Sequence, residues 1–584
     1  MRKHIFWGLM IFLLLLVPIT AQDYEWDPDA GYQEALRRIE EAHLSNSTNL
    51  DFEHVSLTHL PPEIGQLSQL ETLNLNGTYL IDLPPEIGQL TNLRELSLNY
   101  NPLESLPSEF GQLTNLQILS LEGTSLTTLP PEFRELTSLQ TLNLNGMIWT
   151  SLPPVIGQLP NLKSLTMSAS PLETLPPEFG QLNSLQSLTM VAMSVRSLPP
   201  EIGHLEHLQE LVILNTSLET LPSEIGQLKN LQSLALIGTQ VTRLPSEIGQ
   251  LKNLQSLDMS ASPLVTLPSE IGQLRNLRIL NLSDTSLTVV PSEIGLLAHL
   301  EELDLNKTQI TALPSEVGQL KSLQILSLNG IALRNLPPEI GQLTSLRQLN
   351  LNETQLTTLP PEIGQLINLM GLGISKTPLK TLPPEIGQLI NLNGVGLSET
   401  SLTTLPPEFG QLNNLVSLDL NGTPLIALPP EIGQLSKLTT LHLDWTQLTT
   451  LPSEIGQLFV LSELYANHTP LISLPSEIGQ LSELKLLLLT HTHLTHLPVE
   501  LGRLRKIQSL DLYNSPLVFP PPEITQQGPP DIVVPAYLRE YEARLLQQKL
   551  IVVIGLIASV GMITGFAFAF RWRQQRGLRE KKKR

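Results

Sequence analysis

The chain has no cysteine in 584 residues. That excludes disulfides, thiolate metal sites, cysteine nucleophiles and S-palmitoylation. Positive charge is also scarce: Lys and Arg number 35 against 55 Asp and Glu, a formal net charge of −20. A nucleic-acid partner is not expected, because phosphate contacts need Lys and Arg. Catalytic signatures are missing too. There is no GxSxG, HExxH, phosphate-binding Walker loop, or GxGxxG between a strand and a helix. The chain therefore reads as non-catalytic, with no cofactor and no metal site.

What fills the chain is one 23-residue phrase. Residues 405–427 read LPPEFGQLNNLVSLDLNGTPLIA, and the phrase recurs from 60 to 497 without insertion or deletion. Its second position is Pro in all 20 copies, from Pro61 to Pro498, and only Val290 breaks the leucine before it. Two periods lie inside each copy. Leu418-x-Leu420 alternates as a strand does, pointing both leucines to one face. Pro407-Glu408-Phe409-Gly410-Gln411-Leu412 has the spacing of a helical or 3₁₀ turn. Pro suits its start, where an N–H would be unpaired, and Glu faces the positive end of the turn. The Glu63 column is Glu in 19 of 20 copies, Val155 being the exception, and reads as a solvated ridge.

One copy cannot bury its own leucines, but stacked copies can, so the expected fold is a solenoid. The pattern L-x-x-L-x-L-x-x-[N/T]-x-L with LPxxIGxL resembles the leucine-rich repeat family over 47–519. The subtype is similar to bacterial, disease-resistance and Ras-scaffold repeats. The resemblance implies an α/β solenoid, a right-handed horseshoe or superhelix with a parallel concave sheet and short helical or 3₁₀ convex returns. One transmembrane helix is expected beyond it. The family's buried Asn survives only at Asn101; thirteen copies carry Thr there, three Ser, and Met147, Met193 and Ile331 lack a hydroxyl. Thr has a shorter hydrogen-bonding arm, which predicts a ladder that persists with weaker or water-mediated bonds. Extracellular members of the family from animals and plants usually carry cysteine-stapled caps, so the resemblance implies a bacterial member.

The flanks predict a membrane topology. Residues 1–21 have the charged start, apolar run and small-residue end of a signal peptide. Residues 22–46 hold a cap helix, with Leu36, Ile39 and Ala42 or His43 at helical spacing. Residues 520–549 read as a Pro-rich juxtamembrane spacer and helix. Residues 550–570 are uncharged over 21 positions, long enough for a hydrocarbon core of about 30 Å. The tail, 571–584, is basic, which predicts a cytoplasmic C-terminus and contact with anionic lipid headgroups. Lys549 to Gly555 looks like the strand of a GTPase domain, but no Gly-Lys-Ser/Thr follows and only 14 residues remain. Gly561 and Gly565 are spaced for close helix pairing and a homodimer, although Gly is common in membrane spans.

The concave positions are mostly Gln, Ser, Asn, Glu or Thr, with two exceptions. An aliphatic cluster holds Val191, Ala192, Val212, Leu214, Ala235 and Ile237; an aromatic cluster holds His442, Asp444, Trp445, Tyr465, His468, His491 and Tyr513. Both are candidates for partner contact, against drift in a redundant array. His468, His491 and Asp444 are zinc-ligand types, but a metal also needs fixed geometry and none is expected. Eight N-x-[ST] sequons occur, at Asn46, Asn76, Asn215, Asn281, Asn306, Asn352, Asn421 and Asn467; seven belong to the repeat phrase and read as structural. The expectation is a single-pass plasma-membrane protein, repeats outside, binding a protein or cell-envelope ligand on the concave face. The alternatives are a passive surface spacer and, more remotely, an enzyme with an unrecognised concave-face site.

Overall fold

The computed structural model describes residues 28–53 and 55–581, without the side chains of 559, 561, 563, 566, 577, 580 and 581. The expected signal peptide, 1–21, and the last three basic residues lie outside them. The chain divides into two units, the first ending at Leu231 and the second starting at Gln232.

The first unit opens with helix α1 (Pro28–Ser45) and continues through eight short strands, β1 (Asn49–Asp51) to β8 (Glu210–Leu214). Its strands pair in parallel, one repeat apart, from Leu50 opposite Leu73 to Leu188 opposite Leu211. The second unit holds thirteen strands, β9 (Ser233–Ile237) to β21 (Ser509–Asp511), in the same register, from Leu234 opposite Leu257 to Leu487 opposite Leu510. It ends in helices α2 (Pro522–Thr525) and α3 (Pro530–Lys581).

Each repeat is a strand, a turn, an extended Leu-Pro segment and a five-residue 3₁₀ turn. Pro62–Gln66 is typical, with Pro at its first position and the Leu67 N–H donated to Ile64 O at 3.0 Å. The expected helical return is thus 3₁₀ throughout. The leucines and isoleucines of successive repeats form columns with almost no exposure: Ile64, Leu67, Leu70, Leu73, Leu75 and Leu80 are all at 0%. Each buried aliphatic side chain contributes roughly 1.5–3 kcal/mol relative to exposure, and no repeat gains this alone.

The tightest contact between repeats is backbone to side-chain-free backbone. A Cβ at Gly88 would lie 2.4 Å from the Glu109 carbonyl oxygen, and one at Gly433 would lie 2.5 Å from that of Glu454. This column is Gly in every repeat but one, Arg134, and the position it would press on is the one copy lacking Glu, Val155. The two exceptions are partners. A 200 Å³ cavity opens where they meet, lined by Pro131, Arg134, Pro154 and Val155 among others.

Two polar ladders also bind the repeats, and neither uses the Thr78 column as expected. Thr78, Thr285 and Thr423 donate to the carbonyl three residues earlier in their own repeat, at 2.7–2.9 Å. Thr78 also reaches the next repeat, donating to Asn101 Oδ1 at 3.0 Å, and Asn101 donates back to Leu75 O at 2.8 Å. The bridging amides sit two residues earlier. Asn76, Asn306, Asn352, Asn421 and Asn467 each accept the backbone N–H of the next repeat at 2.6–2.9 Å. Those five are sequon asparagines, engaged structurally. A second row, including Asn92, Asn276 and Asn414, donates to the previous repeat's carbonyls at 2.7–2.8 Å.

Both ends are covered. Helix α1 buries Ala35, Ile39 and Ala42, while Leu36 is half-buried and His43 exposed. Small residues form the face because the helix lies close: a Cβ on Gly31 would sit 1.7 Å from Ser56 O. At the other end, the stretch read as a spacer contains a cap. Val534 and Leu538 of α3 are fully buried, Arg503 pairs with Glu542, and Phe519 lies 4.9 Å from the Tyr541 ring.

The Gly column gives a direct test. Gly433→Ala should cost about 1–3 kcal/mol, since an added methyl meets backbone that cannot rotate away. Gly394→Ala, whose new methyl would meet nothing within 4 Å, should change stability by less than about 0.5 kcal/mol. Urea midpoints of the two variants decide; equal midpoints would remove the Gly–carbonyl contact from the account of stacking.

Candidate binding face

The turn that ends each strand fixes the geometry of the exposed face. One residue per repeat leaves the strand with positive φ, in all twenty repeats. Six of these are Gly and fourteen are not. A left-handed conformation costs a side-chain-bearing residue roughly 1–2 kcal/mol, less for Asn or Asp. Three successive repeats nevertheless place Trp445 (φ 61°), His468 (φ 55°) and His491 (φ 56°) there.

These three side chains stack. The Trp445 and His468 rings are 3.8 Å apart and 5° from parallel; His468 and His491 are 4.2 Å apart at 15°. Tyr513 closes the row edge-on to His491 at 5.7 Å. Beside it, on strands Thr440–His442 and Glu463–Tyr465, His442 stacks on Tyr465 at 4.3 Å. The sequence placed Trp445, His468 and His491 on strands; they lie in the turns just after, and only His442 and Tyr465 are strand residues. An aromatic pair contributes about 0.5–1.5 kcal/mol beyond burial. That matches the strain in size, so stability does not account for these residues. Trp445 remains 61% exposed and Tyr513 72%.

Asp444 sits between the two stacks in the amide ladder position, accepting the Asn467 N–H at 2.6 Å. Burial pushes its carboxyl above the usual aspartate range, opposed by that hydrogen bond and by His442 and His468. Burial, and then Glu463, pushes the Tyr465 hydroxyl up as well; it donates to Glu463 at 3.0 Å. Among the described residues no group of His, Asp and Glu converges on a metal position. Face-to-face rings direct their nitrogens alongside one another, not toward a common point.

The aliphatic positions differ. Val191 and Leu214 in the first unit and Ile237 in the second occupy the column that elsewhere holds the ladder Asn. Val191, Val212, Leu214 and Ile237 are half-buried, on strands five residues long instead of three. Short strands such as Thr72–Asn74 end where an Asn accepts the N–H two residues on, as Asn74 does from Asn76 at 3.1 Å. Thr189, Val212 and Ala235 hold that position in the long strands. These aliphatics thus coincide with the strand extension, and they are half-buried as His442 and Tyr465 are.

The sequence reading missed a hollow beside the aromatic rows. Gly373, Gly394 and Gly396 carry no side chain on the strands, and Gly422 carries none in the turn column just before Trp445; Gly394 is open, while Asn352, Ser375 and Glu399 of the preceding repeats lie against Gly373, Gly396 and Gly422. A column alternating Gly with bulky polar residues was the available signal for positive φ. In a cleft of 650 Å³ elsewhere, lined by Gly180, Asn183, His204 and Glu206 among others, Lys229 donates to Gly226 O at 2.6 Å.

A family profile described as a leucine-rich repeat region matches residues 38–122, 108–197, 230–305, 269–350 and 384–471, more than half of the chain. The chain belongs to the leucine-rich repeat family. No protein of curated function matches it significantly. Among solved structures, this leucine-rich repeat chain is similar to a leucine-rich repeat protein of Leptospira interrogans. The two are 39% identical over 70% of this chain and 97% of that one, with a TM-score of 0.56. It is also similar to the plant peptide hormone receptor RGFR1, solved with RGF2 (28%, 79% and 85% covered, TM-score 0.50). A third is the Arabidopsis receptor kinase HAESA, solved with the peptide hormone IDA and the co-receptor SERK1 (25%, 81% and 91% covered, TM-score 0.50).

The raised Asp444 predicts a pH effect in these repeats. The native state holds that proton more tightly than the unfolded chain. Its contribution is therefore fully present below the unfolded aspartate range and is lost as pH rises through the folded value. Asp444→Asn keeps the acceptor without the charge, as Asn421 and Asn467 do naturally. It should raise Tm at pH 7, with the difference shrinking as pH falls through the carboxylate range. A pH-independent difference would refute the buried-charge account.

Proposed function

We propose that this leucine-rich repeat chain is a non-catalytic receptor or adhesin that captures a protein or cell-envelope ligand on its strand face. The observation that carries this reading is the Trp445–His468–His491 stack. Bulky side chains occupy strained turns where Gly would be free of strain, and Trp445 and His491 stay exposed on either side of half-buried His468. Strain retained without a gain in stability points to function, and exposed aromatics are the usual anchors of interfaces. The likeness to RGFR1 and HAESA, both solved with peptides bound, supports a binding role over a passive spacer.

The proposal includes a membrane anchor, with the repeats outside the plasma membrane and the C-terminus in the cytoplasm. Among the described residues no helix is long and apolar enough to cross a membrane. Four side chains within 550–570 are outside those residues, which interrupts the run that the full sequence carries. We favour the sequence: 21 uncharged positions followed at once by Arg571, Arg573, Arg576 and Arg579. In α3, Leu550, Val553, Ile557 and Phe568 are all exposed, as on a lipid-facing helix. The basic tail would meet anionic lipid headgroups, and Gly561 with Gly565 would be the contact if two spans pair.

Two experiments test these halves separately. The full chain should capture a component from an envelope fraction. Trp445→Gly and Tyr465→Ala should weaken that capture about tenfold or more. Trp445→Gly exchanges backbone strain for lost stacking, so its stability should stay within about 1 kcal/mol of the parent. Undiminished capture would move the site off the aromatic rows. For topology, protease added to intact cells, or to spheroplasts, should digest the repeats and spare a tag after Arg584. Protected repeats would overturn the outward orientation.

A further inference from the structure

We propose that the hollow on the N-terminal side of the Trp445 stack receives a cationic side chain of the ligand, a guanidinium or ammonium, held between the Trp445 indole and the Glu399 carboxylate over Gly422. This rests on the strand face being the ligand platform, and adds which chemistry that platform selects.

The turn column runs Glu399, Gly422, Trp445, His468, His491 through five successive repeats. His468 covers one face of the indole at 3.8 Å, and Trp445 is still 61% exposed. Its other face looks toward the Gly422 position, which carries no side chain. Glu399 closes the far side. A Cβ at Gly422 would lie 3.2 Å from Glu399 Cγ, so the Glu399 chain leans over that glycine. Adjacent strands are about 4.8 Å apart, placing positions 399 and 445 about 10 Å apart. Part of that span is taken by the Glu399 methylenes, so the cation enters from the exposed side, as the Glu399 chain swings off Gly422 to put its carboxylate opposite the ring, within the roughly 6 Å reach of a cation–π contact.

The charge in the hollow has one sign. Glu399 is exposed, and its carboxylate makes no hydrogen bond or ion pair among the described residues. Asp419 stands on the neighbouring strand with one oxygen accepting the Asn421 N–H at 3.0 Å. It lies between Gly396 and the His442–Tyr465 stack, so the mid-strand row also sets an acid and a glycine ahead of its rings, though in the order glycine, acid, ring. Between 394 and 445 the single Lys or Arg is Lys437, whose ammonium is bonded to Asn414 Oδ1 at 2.7 Å. Lys376, one repeat before Glu399, is turned to Glu353 at 3.4 Å. A neutral ring would stack on Trp445 equally well but would leave Glu399 without a counter-charge. A cation satisfies both groups.

The test uses the full chain and three small probes: N-acetyl-arginine amide, its neutral isostere N-acetyl-citrulline amide, and methyl glucoside. Binding is read by saturation transfer from protein to probe. The arginine probe should bind about tenfold or more tighter than citrulline, and Glu399→Gln should remove most of that preference. Gly422→Leu should abolish it by filling the hollow; fourteen other repeats already carry a side chain at this turn, so the variant should fold. Equal binding of arginine and citrulline, or an arginine signal undiminished in Gly422→Leu, would overturn the proposal. If glucoside binds and arginine does not, the cation site falls while the strand face stands as the platform. If Trp445→Gly alters neither probe binding nor envelope capture, the platform itself falls.

Discussion

A 23-residue repeat buries its leucines only against another repeat, and the approach is so close that one position must carry no side chain. The Glu109 carbonyl oxygen lies 2.4 Å from the point where a Gly88 Cβ would be, and similar contacts recur along both units. Two peptide planes at that range leave little freedom for the next repeat to shift or rotate. Strand register, leucine columns and amide ladders all inherit the spacing set there. The coincidence of Arg134 with Val155 makes the same point by exception: where the glycine is lost, its neighbour also departs from the phrase, and the packing opens into a cavity.

The sequence declared this architecture almost completely because the same physical demand is written twenty times. Leu418 and Leu420 mark a strand, Pro407 to Gln411 a tight return, and stacking follows from the inability of one unit to enclose itself. What stayed hidden depends on distances a pattern does not carry. The Thr78 column looked like a weakened inter-repeat ladder, whereas its hydroxyls close their own turns and the bridging is done by Asn76 and its counterparts. Helix α1 was legible as a cap, but the face it buries was set by how near Gly31 comes to Ser56, not by its largest side chains. The prolines between 520 and 535 suggested a spacer; Val534 within that stretch and Leu538 just beyond it are buried.

The binding face was half legible for a related reason. Its aromatic residues stood out by type, and the structure brings them into two stacked rows. Their backbone conformation did not stand out, because a strand and the turn after it share one apolar rhythm. Positive φ at Trp445, His468 and His491 changes what these residues mean. On a relaxed strand they would be surface variation. In a turn that six repeats fill with glycine, they carry a cost that recurs in three consecutive copies and that stacking only balances. The aliphatic cluster stood out by type as well; Val191, Leu214 and Ile237 lie half-buried where strands run longer, and their backbone carries no comparable strain.

Because the core, the glycine contact and the ladders all lie behind or beside the strand positions, side chains on that face are free of structural duty. A fold so repetitive can vary them without altering its spacing, which is how positions without side chains, Gly396 and Gly422, can adjoin a dense aromatic row only one repeat away. The C-terminal helix limits that freedom in a different respect. α3 runs unbroken from Pro530 to Lys581; Val534 and Leu538 lock its first turns onto the last repeat, and Glu542 pairs with Arg503. A helix rises about 1.5 Å per residue, so only about 12 Å separates Glu542 from Leu550, where the apolar run begins. If that run lies in a bilayer, the repeats of the second unit are not tethered by a loose linker. They are held by the same rigid element that crosses the membrane, and the direction in which Trp445 and its neighbours face is coupled to the rotation of that helix.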